Sequence, residues 1–202
     1  MLINKKILVA GALLGLAACT TPLPRPAGPA NWPAWDARQQ KLGELDHWQL
    51  DGRVAIIAGE EGGSGSLDWS QQADSVDFRV SGPFGAGAFS ITGTGDLLTL
   101  RTADGGELTT RNLEAELAWR LGYVIPVRSM RWWVLGLPAP AIPAVTEVDG
   151  AGRLRVLEQR GWRVEYREYI AVGGYALPSR LTLEGDGVRL KFAIQDWTLG
   201  SP

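Results

Sequence analysis

Among 202 residues there is one cysteine, one histidine and two methionines, and the first two scarcities each close off a class of chemistry. A lone cysteine forms no disulfide within its own chain, and with a lone histidine it supplies no Cys/His-rich zinc site. Catalysis by a Cys–His or Ser–His pair would have to run through His47 alone. His47 stands between Asp46 and Trp48 with no nucleophile motif beside it, so it reads as a surface or capping residue. Gly62-Gly63-Ser64-Gly65-Ser66 fails the G-x-S-x-G pattern because Ser66 occupies the place of the last glycine. Phosphate-loop and dinucleotide-binding glycine motifs are also missing. Long apolar runs are scarce, and a mean hydropathy of -0.04 excludes a polytopic helical membrane protein. A formal net charge of -2 leaves no electrostatic footprint for nucleic acid. No catalytic, metal-binding or cofactor-binding set emerges, although two carboxylates that converge only in the fold would escape this reading.

What is present begins at the N-terminus. Lys5 and Lys6 precede an apolar stretch, Ile7 to Leu16, too short to span a bilayer and flanked as a secretory leader. Leu16-Ala17-Ala18-Cys19 has the form of a bacterial lipobox and makes the one cysteine the expected lipidation site. Residues 1–18 are thus expected to be a lipoprotein signal peptide. Residues 19–31, an acylated Cys19 and a Pro-rich stretch, form a tether reaching about 3 Å per residue. Several acyl chains, each contributing about 0.8 kcal/mol per buried CH2, would anchor the protein stably.

Residues 32–202 read as one domain. A helix is expected near Pro33, with Trp35, Leu42 and Leu45 inward and Asp36, Arg38, Gln40 and Lys41 outward. From Trp48 the apolar period switches to two. Alternating segments follow at 48–56, 67–70, 76–81, 86–92, 97–102 and 107–111, with Gly59 to Gly65 read as a turn. Asn112 and Gly122 frame one helix, and Ser129 is expected to cap a second at 130–135. Alternation resumes over 145–149, 153–159, 162–168, 178–184 and 188–197. The sum is a mainly β fold of about eleven antiparallel strands that curls toward a barrel, with the two central helices on its concave apolar face. Whether they fill that face or leave a cavity is open at this level, as is whether Phe84, in the turn Gly82-Pro83-Phe84-Gly85, points outward or folds back.

The mature chain resembles the LolB family of outer-membrane lipoprotein receptors. The resemblance is carried, in order, by the lipobox, W-Q-L-D-G-R at 48–53, Leu67-Asp68-Trp69, Gly82-Pro83-Phe84-Gly85, Ile125-Pro126-Val127, R-W-W-V-L-G-L-P at 131–138, L-E-Q-R-G-W at 157–162, Leu177-Pro178 and Ile194-Gln195-Asp196-Trp197. It implies a half-open antiparallel barrel whose helices form a lid over a hydrophobic cavity. It also implies acceptance of acyl chains from a LolA-like periplasmic carrier and their release into the outer membrane. Thr20 after Cys19, where the family logic places Asp for inner-membrane retention, implies the periplasmic face of the outer membrane. A protruding x-Pro-Leu-Gly loop inserts clients into the bilayer in this family. Pro83, Phe84 and Gly85 occupy it here, with Phe in place of Leu.

On that basis the cavity lining is expected from Leu50, Val54, Leu67, Trp69, Val80, Leu98 and Leu100 on the strands, and from Leu117, Trp132 and Trp133 on the lid. The expected partners are the carrier, client acyl chains and outer-membrane phospholipid, with the protein itself a monomer. A filled-barrel docking lipoprotein and a carboxylate hydrolase are the competing readings. Lys191, Arg189 and Arg163 form a candidate basic rim toward an acidic partner.

Overall fold

The computed structural model describes residues 22–23, 29–83 and 87–200. The leader, Cys19, most of the tether, Phe84 and Gly85 lie outside the described residues.

Helix α1 (Trp32–Gly43) starts where Asn31 accepts a hydrogen bond from the Ala34 amide at 3.1 Å, with Pro33 in its first turn. It buries Trp35 and Leu42. Arg38 is not outward as its helical position suggests. It donates to the Ala176 carbonyl at 2.6 Å and lies 5.3 Å from the centre of the Tyr169 ring. Burial pulls its pKa down, and the ring face and backbone carbonyl compensate its charge.

The strands are β1 (His47–Ala58), β2 (Glu61–Gln72), β3 (Ser75–Ser81), β4 (Phe89–Thr94), β5 (Leu97–Thr102) and β6 (Glu107–Thr110). Helices α2 (Leu113–Leu121) and α3 (Val127–Trp133) follow, then β7 (Val145–Val148), β8 (Leu154–Gln159), β9 (Trp162–Val172), β10 (Tyr175–Gly185) and β11 (Val188–Leu199). The expected eleven strands, interrupted by helices between the sixth and seventh, are present. They form one antiparallel sheet in the order β6-β5-β4-β3-β2-β1-β11-β10-β9-β8-β7. The two edges, β6 and β7, do not pair with each other, so the barrel stays half open.

Local differences from the sequence reading have physical causes. Only Gly59 and Glu60 turn the chain after β1; Glu61 to Gly65 already belong to β2. A Cβ on Gly65 would sit 2.5 Å from the Ser81 carbonyl oxygen, so the glycine lets the end of β3 fold across. Gly52 serves the same end at a register shift between β1 and β11, where a Cβ would lie 2.3 Å from the Ala193 oxygen. Ser129 is not a cap. Pro126, with its fixed φ, starts α3, and the Ser129 and Met130 amides both donate to its carbonyl at 3.0 Å. Asp149, at the end of the alternating segment 145–149, is buried against Arg153, whose Nε donates to its Oδ2 at 2.9 Å.

Because β6 and β7 lie at opposite edges, residues 111–144 must cross the sheet, and they do so over the concave face. The segment after α3 is deeply buried, with Val134, Leu135 and Leu137 in the same core as the strand side chains. Gln159 fixes it: its Oε1 accepts from Trp133 Nε1 and the Ala139 amide, both at 2.8 Å, and its Nε2 donates to the Ala139 and Ile142 carbonyls, both at 2.9 Å. The amide's main polar capacity is thereby satisfied inside the core. Tyr166, its phenol pKa raised by burial, donates to the Trp133 carbonyl at 2.9 Å.

Candidate functional site: the open end of the concave face

Hairpin turns alternate between the two ends of the barrel. At one end lie the turns at 73–74, 95–96 and 173–174 and the bend at 149–152, and α1 plugs it. Lys41 donates to the Gly174 carbonyl at 3.0 Å, and the Asn31 amide to the Asp149 carbonyl at 3.2 Å. At the other end lie the turns at 59–60, 160–161 and 186–187 and the residues that leave β3, Gly82 and Pro83. No helix plugs that end among the described residues.

The side chains record the difference. On the concave face, β11 buries Val188, Leu190, Phe192 and Ile194. Across the pair, Val54, Ile56 and Ala58 of β1 stand opposite Phe192, Leu190 and Val188 yet are only half-buried, as are Val80 of β3 and Phe89 of β4. The cause lies on β2. The partners of Val54 and Ile56 on that side are Gly65 and Gly63, and a Cβ at Gly63 would meet nothing within 4 Å. The missing side chain at Gly63 leaves part of this apolar strip uncovered at the open end of the concave face.

Above that strip runs the lid. Asn112 caps α2 through the Ala115 amide at 3.4 Å, and Gly122, at φ 79°, ends it in the left-handed conformation its side chain-free carbon tolerates. The lid is fastened at its margins by charges on turns. Arg160 pairs with Glu114 at 2.8 Å, Arg128 with Asp96 at 3.0 Å and Arg131 with Asp74 at 3.7 Å. The Val124 amide donates to Asp186 at 2.8 Å.

The expected lining residues divide on this geometry. Leu50, Leu67, Trp69, Leu98, Leu100, Leu117 and Trp133 are all closed into the core, Trp133 at 0% exposure. Val54, Val80 and Trp132 keep accessible surface, Trp132 beneath the Arg131 guanidinium at 5.0 Å. Ile56, Ala58 and Phe89 join Val54 and Val80 on the strip and were not singled out from sequence. Their signal was the glycine run at 62–65, which alternation places on a strand rather than in a turn. Pro83 is exposed at the open end, and the neighbouring loop residues Phe84 and Gly85 lie outside the described set. His47 is a half-exposed partner of Asp46, at 2.6 Å. A groove of about 430 Å³ lies elsewhere, at the β7–β8 edge between Val145 and Trp162, and the charges of Glu158, Arg163 and Glu184 on its walls suit it poorly to acyl chains. Among the described residues no group of His, Cys, Asp or Glu could hold a metal ion, and no helix is long and apolar enough to cross a membrane.

The family model described as outer membrane lipoprotein LolB matches residues 46–197, from the start of β1 almost to the end of β11. The chain belongs to the LolB family. An outer-membrane lipoprotein LolB from Stutzerimonas stutzeri is 39% identical over 199 residues, covering 98% of this chain and 97% of that protein. The LolB of Pseudomonas aeruginosa strain LESB58 is 40% identical over 192 residues, covering 94% of each. A crystal structure of a LolA superfamily protein from Nitrosomonas europaea superposes with a TM-score of 0.57 over 87% of this chain and 96% of that one, at 11% identity. That likeness shows a shared fold. Like its LolB relatives, the chain is an outer-membrane lipoprotein of lipoprotein localisation.

Proposed function

We infer that the half-buried strip Val54, Ile56, Ala58, Val80 and Phe89, under the α2 side of the lid, is where client acyl chains are held. LolB proteins receive lipoproteins from LolA and insert them into the outer membrane, and this chain does the same. The observation that carries the assignment is that apolar strand positions stay accessible at one end of an otherwise sealed core.

The energetics suit transfer rather than storage. An acyl chain of about fifteen CH2 groups loses on the order of 12 kcal/mol when exposed to water, so it must pass between covered surfaces. A strip open on one side covers less of the chain than a bilayer does, and passage to the membrane runs downhill with no nucleotide. The lid is built to lift at one margin. Exposed ion pairs such as Arg128–Asp96 contribute about 1 kcal/mol or less each, whereas the Gln159 network holds the other margin in the core. Swinging α2 while the residues after α3 stay fixed would bare the strip.

Phe84 follows Pro83 in the sequence between β3 and β4. In this proposal it enters the phospholipid and Cys19 carries the anchor, with the protein monomeric and performing no catalytic step. The buried Leu50, Leu67, Trp69 and Trp133 agree with a filled deep core, and so only the open end of the expected cavity serves as the acyl site. The test is transfer of a labelled lipoprotein from LolA to the mature chain and then to liposomes. Ile56→Asp is expected to block acceptance, and Phe84→Glu to accept normally but insert poorly. Undiminished acceptance by a folded Ile56→Asp protein would overturn the site, and normal insertion by Phe84→Glu would overturn the loop.

A further inference from the structure

The convex face of the sheet carries a second concavity, of about 310 Å³, remote from the lid. Strand register explains its shape. In one row across the sheet Arg53 of β1 pairs with Ala193 of β11, and Ala193 with Arg180 of β10. In the next row Ala55 pairs with Lys191, and Lys191 with Thr182. Small residues therefore form the floor and four cations, Arg53, Arg167, Arg180 and Lys191, stand around it. Two interstrand spacings put Arg53 and Arg180 about 9.6 Å apart at the backbone, with Lys191 on the strand between them and two residues along.

The charges in this depression are not balanced. Of the basic residues on this face, Arg189 pairs with Glu184, Arg163 with Glu158 and Glu165, and Arg180 with Glu168 at 3.0 Å. The basic rim expected at Lys191, Arg189 and Arg163 is thus neutralised at two of its three members. Arg53 and Lys191 have no ion-pair partner among the described residues, although they flank the same floor. Thr182, buried on that floor at 5% exposure, adds a hydroxyl. On the other side of Arg53 a row of carboxylates, Asp68, Asp51 and Asp196, runs across β2, β1 and β11. That row limits the negative charge that can be accommodated and excludes an extended polyanion.

We propose that this depression binds a single phosphate-type oxyanion, held by Arg53 and Lys191 over the Ala55–Ala193 floor. A phosphodiester headgroup and free inorganic phosphate share that chemistry. A guanidinium fork and an ammonium at this spacing suit a compact tetrahedral anion carrying one or two charges. The site is independent of the acyl strip, because Arg53 and Lys191 project from the opposite face of the sheet to Val54 and Phe192.

Isotope-labelled mature chain in detergent micelles, titrated with inorganic phosphate and separately with glycerophosphoethanolamine at constant ionic strength, tests it. Saturable amide shifts are expected at Ala55, Thr182 and Ala193 in the wild type. Either Arg53→Gln or Lys191→Gln should weaken binding about tenfold, and the double variant should abolish saturation, with acceptance of lipoprotein from LolA unchanged in all three. Saturation by both ligands identifies a headgroup phosphate, and saturation by inorganic phosphate alone identifies the free ion. The proposal is overturned by shifts that follow chloride equally, by shifts that survive in the double variant, or by a response only to an acidic protein. Loss of acyl acceptance in the double variant would instead show that the two faces are not separable.

Discussion

The two walls of the half-open barrel have the same strand geometry and opposite packing. On β8 to β11 the concave side chains are sealed: Leu157, Val164, Leu177 and Leu183 are all at 0% exposure. On β1 to β4 the same alternation leaves Val54, Ile56, Val80 and Phe89 partly open, and on β2 glycine stands opposite Val54 and Ile56. One wall holds the fold together, and the other keeps apolar surface in reserve. The stability that burial of the strip would add is left unrealised at the end where a ligand can supply it.

That division can be broken most strongly from its sealed side. Trp133→Ala should destabilise the protein by about 3–5 kcal/mol, measured by urea unfolding, because it opens a large cavity and strands Gln159. A cost below 1 kcal/mol would mean the lid's fixed margin does not depend on the core. Gly63→Val goes the other way. Its side chain has open space, and a strand favours valine, so the unfolding free energy should hold or rise by about 0.5 kcal/mol while uptake of a fluorescent fatty acid falls severalfold.

Smaller effects sharpen the boundary between the walls. Glu114→Gln removes the Arg160 pair and should cost about 1 kcal/mol or less, and faster release of bound fatty acid in stopped flow would show the pair restraining the lid. The smallest effect belongs to the convex face. Partial burial and the facing Asp68 raise the Asp51 pKa. A carboxyl whose pKa is raised by folding stabilises the protein below its unfolded pKa and loses that contribution as pH rises through the folded one. Asp51→Asn should therefore give a slight gain in unfolding midpoint at pH 7 that disappears below about pH 4. A gain that persists at pH 3 would assign it to something other than charge.

Strand positions were legible in the sequence because one face of the sheet is apolar and the period of two is local. The helix boundaries at Asn112 and Gly122 were legible for the same reason, since caps depend on immediate neighbours. Arg38, Ser129 and Asp149 escaped because their partners, Ala176, Arg160 and Arg153, are supplied by folding rather than by any local pattern, in the first two cases from far along the chain. The open strip escaped for a different reason. Alternation shows which residues face inward and does not show whether anything covers them; that depends on glycines across the pair.

The chain order of the sheet has a consequence for how the protein comes to be made. Trp48 pairs with Leu199, so the strands nearest the two termini are neighbours at the middle of the sheet. Until β11 is in place, β1 to β6 and β7 to β10 are two separate meanders, with β1 and β10 as unpaired edges and apolar faces turned outward. Such distant pairing is slow, and waiting edges attract other chains. A protein that shields other molecules' greasy tails therefore passes through an early life in which its own apolar faces need shielding, ended by its last strand.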